Sequence, residues 1–171
     1  MRIFLSGTDD VFDVLTYLCD QLEDQGHTPL WFHRPDFPHL SANAMDNCLE
    51  VVKTANRFAL VLHRRYGLPH VSGVSITEAE YNVAFDLGLP CLVFVRSSTW
   101  YESDTYHRAK KPGINLADEV LAQILHADVA LLQFIDRLQH QRRSGRPEVP
   151  WITAFDHAKT VGECLQKKWA T

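Results

Sequence analysis

Phe58-Ala59-Leu60-Val61-Leu62 is a run of apolar residues without a polar interruption. A strand with one wet face alternates apolar and polar side chains, so an unbroken run reads as a strand covered on both faces. A second run, Cys91-Leu92-Val93-Phe94-Val95, follows downstream. Between them Ser75 or Thr77 caps a helix that extends to about Leu87, where Gly88 ends it and Pro90 bars continuation. Buried strands joined through a helix imply parallel pairing, because a parallel partner needs a crossover connection.

The same alternation extends both ways. Ile3 to Leu5 reads as a strand, followed by a helix with Val11, Val14, Leu15, Leu18, Cys19 and Leu22 on one face and Gly26 as its stop. Pro29 opens a second strand, Leu30-Trp31-Phe32, and Ser41 is the expected cap of a helix striped by Met45, Cys48, Leu49 and Val52. Beyond Val95, residues 96–115 read as a long polar-aromatic loop whose mix of rings and cations suits nucleotides. Leu116 to Arg143 is helical, with a break at His126-Ala127-Asp128. A turn at Gly145 and Pro147, a strand Trp151 to Phe155 and a helix from Asp156 to Trp169 complete the chain. The expected fold is α/β: a five-stranded parallel sheet in flavodoxin-like order 2-1-3-4-5 with helices on both faces.

At 171 residues the chain is one domain, residues 1–171, by the usual size of about 150 residues per domain. With Lys plus Arg at 17 and Asp plus Glu at 21, the net charge is −4, which argues against general nucleic-acid binding. No apolar run reaches the roughly 18 residues of a membrane span, and no signal-peptide layout opens the chain. Cys19, Cys48, Cys91 and Cys164 lie far apart and outside zinc spacing, so they read as free thiols of a cytoplasmic protein. The nine histidines form no metal-binding frame, and no cofactor is called for.

Ligands of such sheets bind beyond the carboxyl ends of the strands, at the switch between the first and third. That directs attention to Ser6 to Asp10, His33 to Asp36, His63 to Tyr66 and the start of the Thr77 helix. The turn Ser6-Gly7-Thr8-Asp9-Asp10 offers backbone N–H groups to an anion, or is only a turn with Thr8 or Asp9 as cap. It lacks both the dinucleotide fingerprint and the P-loop pattern. Arg65 brings a planar fork and Tyr66 a stacking face, although two solvated arginines on a loop are the plainer account. Ser75-Ile76-Thr77-Glu78-Ala79-Glu80-Tyr81 contains two overlapping capping boxes, Ser75 with Glu78 and Thr77 with Glu80. One helix start needs only one, which leaves a glutamate at the cleft able to stabilise or attack an oxocarbenium-like sugar carbon. Residues 78 and 80 lie about 200° apart around a helix, so only one faces the cleft. With Ser75 as cap, Glu78 is expected to fold back onto it and Glu80 to face Ser6, Gly7 and Arg65.

Met1-Arg2-Ile3-Phe4-Leu5-Ser6-Gly7-Thr8, Phe58 to Leu62 with Arg65-Tyr66-Gly67, and Ser75 to Tyr81 continuing through Ala84 to Gly88-Leu89-Pro90 together resemble one family. It is the uncharacterised TIR-like domain found at the N-terminus of many NACHT, WD-repeat and TPR proteins, similar in fold to TIR domains and nucleoside 2-deoxyribosyltransferases. The resemblance implies Glu80, four residues before Ala84, as the glutamate of N-glycosidic bond chemistry, with NAD or a nucleoside as substrate. On the enzyme reading Ser6, Gly7 and Thr8 are expected to hold phosphate or ribose and Arg65 and Tyr66 to orient the ligand, with Tyr81 as a further ligand contact. Two positions depart from the family pattern. Asn56 stands where members often have aspartate, and Phe32-His33-Arg34-Pro35 lacks an acid. Those departures favour the other reading, a non-catalytic signalling or ligand-sensing module that binds a nucleotide or assembles with itself or a partner.

Overall fold

The computed structural model describes residues 1–71, 73–143 and 151–169. Five strands, β1 (Arg2–Ser6), β2 (Thr28–Leu30), β3 (Arg57–Leu62), β4 (Cys91–Arg96) and β5 (Trp151–Phe155), form one sheet. Every pairing is parallel and the order is β2-β1-β3-β4-β5, as the unbroken apolar runs require. Phe58 to Leu62 are at most 1% exposed. Successive side chains of β3 point to opposite faces: Phe58, Leu60 and Leu62 enter one core, Ala59 and Val61 the other.

On the Ala59 side lie α1 (Phe12–Asp24) and α7 (Ala158–Trp169), which contribute Leu15, Leu18, Val161 and Leu165. On the Phe58 side lie α2 (Ala44–Val52), α3 (Ile76–Asp86), α4 (Ser97–Ala109), α5 (Asp118–Ile124) and α6 (Val129–Arg143). Among the described residues no helix is long and apolar enough to cross a membrane. The four cysteines are unpaired. The expected turn at Gly145 and Pro147 lies outside the described residues.

Three local expectations are corrected. The second strand ends at Leu30 rather than covering Leu30 to Phe32. Thr28 N–H already donates to Met1 C=O at 2.8 Å, and Pro29 is tolerated because β2 is an edge strand. A turn closed by Arg34 N–H on Trp31 C=O then carries Trp31 and Phe32 off the sheet. The cap of α2 is Asn43, whose Oδ1 accepts from Met45 N–H at 2.9 Å and Asp46 N–H at 3.3 Å, rather than Ser41.

The largest correction is α4, where a loop was expected across 96–115. Its buried stripe is Thr99, Ser103, Tyr106 and Ala109, a helical spacing carried by mostly small or polar side chains that leaves no hydrophobic periodicity to read. It also starts directly after β4 without a side-chain cap. Tyr106 packs in the core, and Lys110 pairs with Asp118 at 2.7 Å, so this segment supports the helical layer. No residue between Trp100 and Gly113 lines the cavity described next.

Candidate functional site

The carboxyl end of β1, the turn after β2, the loop after β3, the first turns of α2 and the start of α3 surround a cavity of about 610 Å³. It lies where the order of the strands reverses, the place at which such sheets bind ligands. Ser6, Gly7, Thr8, Arg65 and Glu80 all line it, so these expected site residues are brought together.

Ser75 sets the face that α3 turns toward the cavity. Its Oγ accepts from Glu78 N–H at 3.1 Å, fixing where the helix begins. Glu80, two residues beyond Glu78, then points to the cavity and is 6% exposed. Ser6 Oγ donates to Glu80 Oε2 at 2.5 Å, and the Cys48 thiol of α2 is a second hydrogen-bonding neighbour. Burial raises the Glu80 carboxyl from its ordinary 4.5 to about 7, while the bonds from Ser6 and Cys48 act in the opposite direction. Beside the carboxylate, burial pushes the Cys48 thiol far up. Glu80 is therefore divided between its acid and base forms near neutral pH, which suits a group that gives and takes a proton.

Glu78 is buried too, but its carboxylate does not return to the cap. Tyr66 Oη donates to Glu78 Oε2 at 2.7 Å, and Arg137 Nη2 of α6 reaches both Glu78 oxygens at 2.7 Å. A charged donor across the helix layer outcompetes a backbone N–H for the carboxylate. Tyr66 is thereby engaged with Glu78 and does not line the cavity. Tyr81 does not line it either. It is 1% exposed, packs against Phe58, Phe85 and Phe134, and donates to Gln141 Oε1 at 3.1 Å.

Gly7 has a packing role at this site. A Cβ there would stand 2.8 Å from both Val61 C=O and Val11 Cγ2, so no side chain fits between the β1 turn and β3. Gly67, at φ +94°, brings the loop after β3 against Thr8 and Thr77. Thr8 Oγ1 bonds to Asp10 Oδ1, and its C=O accepts from Val11 N–H in the short 3₁₀ turn Asp9–Val11.

Of the other lining residues, His33 falls in a segment that the switch point had marked, whereas Trp31, Phe32 and Asp128 were not singled out from the sequence. Trp31, Phe32 and His33 form an aromatic wall, with ring centroids 5.2 Å apart for Trp31 and His33 and 5.6 Å for Phe32 and His33. His33 Nε2 meets Asp9 Oδ1 at 3.3 Å. Asp128, just before α6, lines the cavity and accepts from Tyr66 N–H at 2.8 Å. The helix break at 126–128 was the one available signal for it. Arg65 is exposed, and among the described residues no carboxylate pairs with its guanidinium. Among the described residues no group of His, Cys, Asp and Glu is arranged to hold a metal ion.

Asn56 stands outside this site. Its Oδ1 accepts from Arg2 N–H and its N–H donates to Arg2 C=O, both at 2.8 Å. It fastens the beginning of β1 beside the beginning of β3, at the opposite end of the strands from the cavity. Asparagine in place of aspartate there alters no group of the cavity.

A family described as a domain of unknown function, DUF4062, matches residues 2–170. No curated protein sequence matches. The fold is similar to that of a CMP N-glycosidase from Clostridium botulinum, with 14% identity, a TM-score of 0.51, and coverage of 98% of this chain and 99% of that one. A 2-deoxyribosyltransferase from Bacillus psychrosaccharolyticus is 20% identical, with a TM-score of 0.42, over 56% of this chain and 72% of that one.

Proposed function

The chain belongs to the DUF4062 family, which is defined without a function, and we propose that this member cleaves the N-glycosidic bond of a nucleotide-type ligand through Glu80. The observation that carries this reading is a buried carboxylate, raised to about 7, at the wall of a cavity beyond the carboxyl ends of β1 and β3. The C1′–N bond breaks with its electron pair going to the base. Ionised Glu80 stabilises the positive charge that develops on the sugar carbon. Water supplies the hydroxyl of C1′, and its proton passes to Glu80 and on to the departing base.

The surrounding residues fit such a ligand. Trp31, Phe32 and His33 offer aromatic surface to a base, and Arg65 offers a guanidinium to an anionic group. A volume of about 610 Å³ falls within the range of small-molecule sites. The fold is one that a CMP N-glycosidase also adopts. NAD and simple nucleosides belong to the same bond class.

The test is incubation with NAD, nucleoside 5′-monophosphates and nucleosides, with free base measured by chromatography. Release from at least one of them, reduced about a hundredfold or more in folded Glu80→Gln, supports the reading. No base from any of them sinks it. A second reading, a sensing module that binds a nucleotide without turnover, is favoured by the engagement of Glu80 with Ser6 and Cys48 of the protein itself. Saturable binding without base release, altered only modestly by Glu80→Gln, distinguishes it.

A further inference from the structure

The loop after β3 carries Arg65 and Gly67 to the cavity wall, with Tyr66 between them. Three carboxylates from separate parts of the chain hold it. Asp10 Oδ2 accepts from Arg64 N–H at 2.7 Å and from Arg65 N–H at 3.0 Å. Asp128 Oδ2 accepts from Tyr66 N–H at 2.8 Å. Glu78 Oε2 accepts from Tyr66 Oη at 2.7 Å. Three consecutive loop N–H groups thus receive acceptors that neither strand nor helix supplies.

Glu78 is the fixed end of this arrangement. Its side chain is 6% exposed, and Arg137 bonds to both of its oxygens. Such a charge-assisted pair holds the carboxylate in one orientation. Arg65, by contrast, is exposed, and among the described residues no anion holds its side chain. The fold can preorganise only its backbone, and the order of that backbone is set by what grips residues 64–66.

We propose that Glu78, held by Arg137, is a positioning residue: through Tyr66 it fixes the loop that presents Arg65 to the 5′-phosphate of a nucleotide ligand. The ligand class rests on the function proposed above, whereas the clamp rests on the geometry of the loop. The planar fork of a guanidinium that no described carboxylate engages matches phosphate oxygens. Loosening the loop makes phosphate capture pay more ordering entropy while leaving the sugar carbon and Glu80 untouched. The signature is a rise in KM, with kcat held, confined to phosphorylated ligands.

The experiment compares wild type with Glu78→Gln, Arg137→Gln and Arg65→Gln. Substrates are the common nucleoside 5′-monophosphates and the corresponding nucleosides, with thermal unfolding confirming that each variant is folded. Expected for Glu78→Gln and Arg137→Gln is a roughly tenfold higher KM toward a monophosphate, kcat within about twofold, and an unaltered pH profile. KM for the nucleoside is expected to stay put. Combining Glu78→Gln with Arg65→Gln is expected to add little beyond Arg65→Gln alone, because both act on one contact. Equal KM rises for nucleoside and monophosphate, or a fall in kcat alone, would overturn the proposal. If the wild type releases no base, the same comparison is made by calorimetric binding. A monophosphate preference lost in the variants then upholds the clamp while the catalytic reading fails. Binding without that preference, or no binding at all, overturns the clamp. If Glu78→Gln does not fold, Arg137→Gln, altered at a half-exposed side chain, decides.

Discussion

Ser6 Oγ stands 2.5 Å from Glu80 Oε2, joining the end of β1 to the first turns of α3 across 74 positions of sequence. The bond favours the charged carboxylate, whereas burial favours the neutral acid, and burial prevails.

Removing the Ser6 hydroxyl therefore has a predictable sign. Ser6→Ala is expected to move the Glu80 titration above its midpoint of about 7, by roughly one unit for a lost hydrogen bond to a charged group. Carboxyl-carbon NMR of the folded protein, with Glu80→Gln used to assign the signal, checks this. A midpoint that stays or falls contradicts the account.

Glu80 also makes stability depend on pH. Its folded value, about 7, lies above the ordinary 4.5, so the native state binds the extra proton between those limits. The contribution is fully present below about 4.5, declines as pH rises, and is lost beyond about 7. The difference is on the order of 3 kcal/mol. Urea unfolding across that window should show wild type losing stability relative to Glu80→Gln, in which this linkage is absent. Parallel curves for the two proteins would contradict it.

Gly7→Ala is expected to destabilise the fold by roughly 2–3 kcal/mol, because the added methyl meets the Val61 carbonyl and Val11 at 2.8 Å. Gly26→Ala meets nothing within 4 Å and carries only the strain of φ +75°, about 1 kcal/mol. Thermal unfolding of both variants should rank Gly7→Ala as the more damaging. The reverse ranking would place the constraint in the backbone angle rather than in packing.

All four thiols are expected to react with a disulfide reagent in denatured protein, equally with and without prior reduction. In the native protein Cys19, Cys48 and Cys91 should react slowly. Cys19, at about 11, and Cys91, at about 12, are held protonated by burial, and Cys48 is pushed up further by burial and by Glu80. A deficit of two thiols without reductant, or fast labelling of Cys48, would count against this.

The sheet was readable because β3 and β4 announce themselves locally: each is a short apolar run that only double coverage explains. Glu80 was reachable for a similar reason, since the Ser75 cap fixes the angle of every residue in the next two turns. Where the Glu78 carboxylate goes was not reachable. Its partner Arg137 lies 59 positions away, and nothing in the local pattern distinguishes a carboxylate returning to its cap from one crossing to another helix. Asp128, 62 positions from Tyr66, was hidden in the same way. The helical identity of α4 was masked by chemistry rather than distance, because Thr99, Ser103 and Ala109 bury little apolar area and leave a weak periodic signal.

The placement of Pro29 has a consequence for assembly. Along a strand, successive N–H groups point alternately to the two sides. Thr28 N–H is turned inward onto Met1 C=O, so the outward donor position at the middle of β2 falls to Pro29, which has no N–H to give. The sheet's outer margin at β2 therefore lacks a donor at its middle, and that single imino acid makes it a poor template for edge-to-edge pairing.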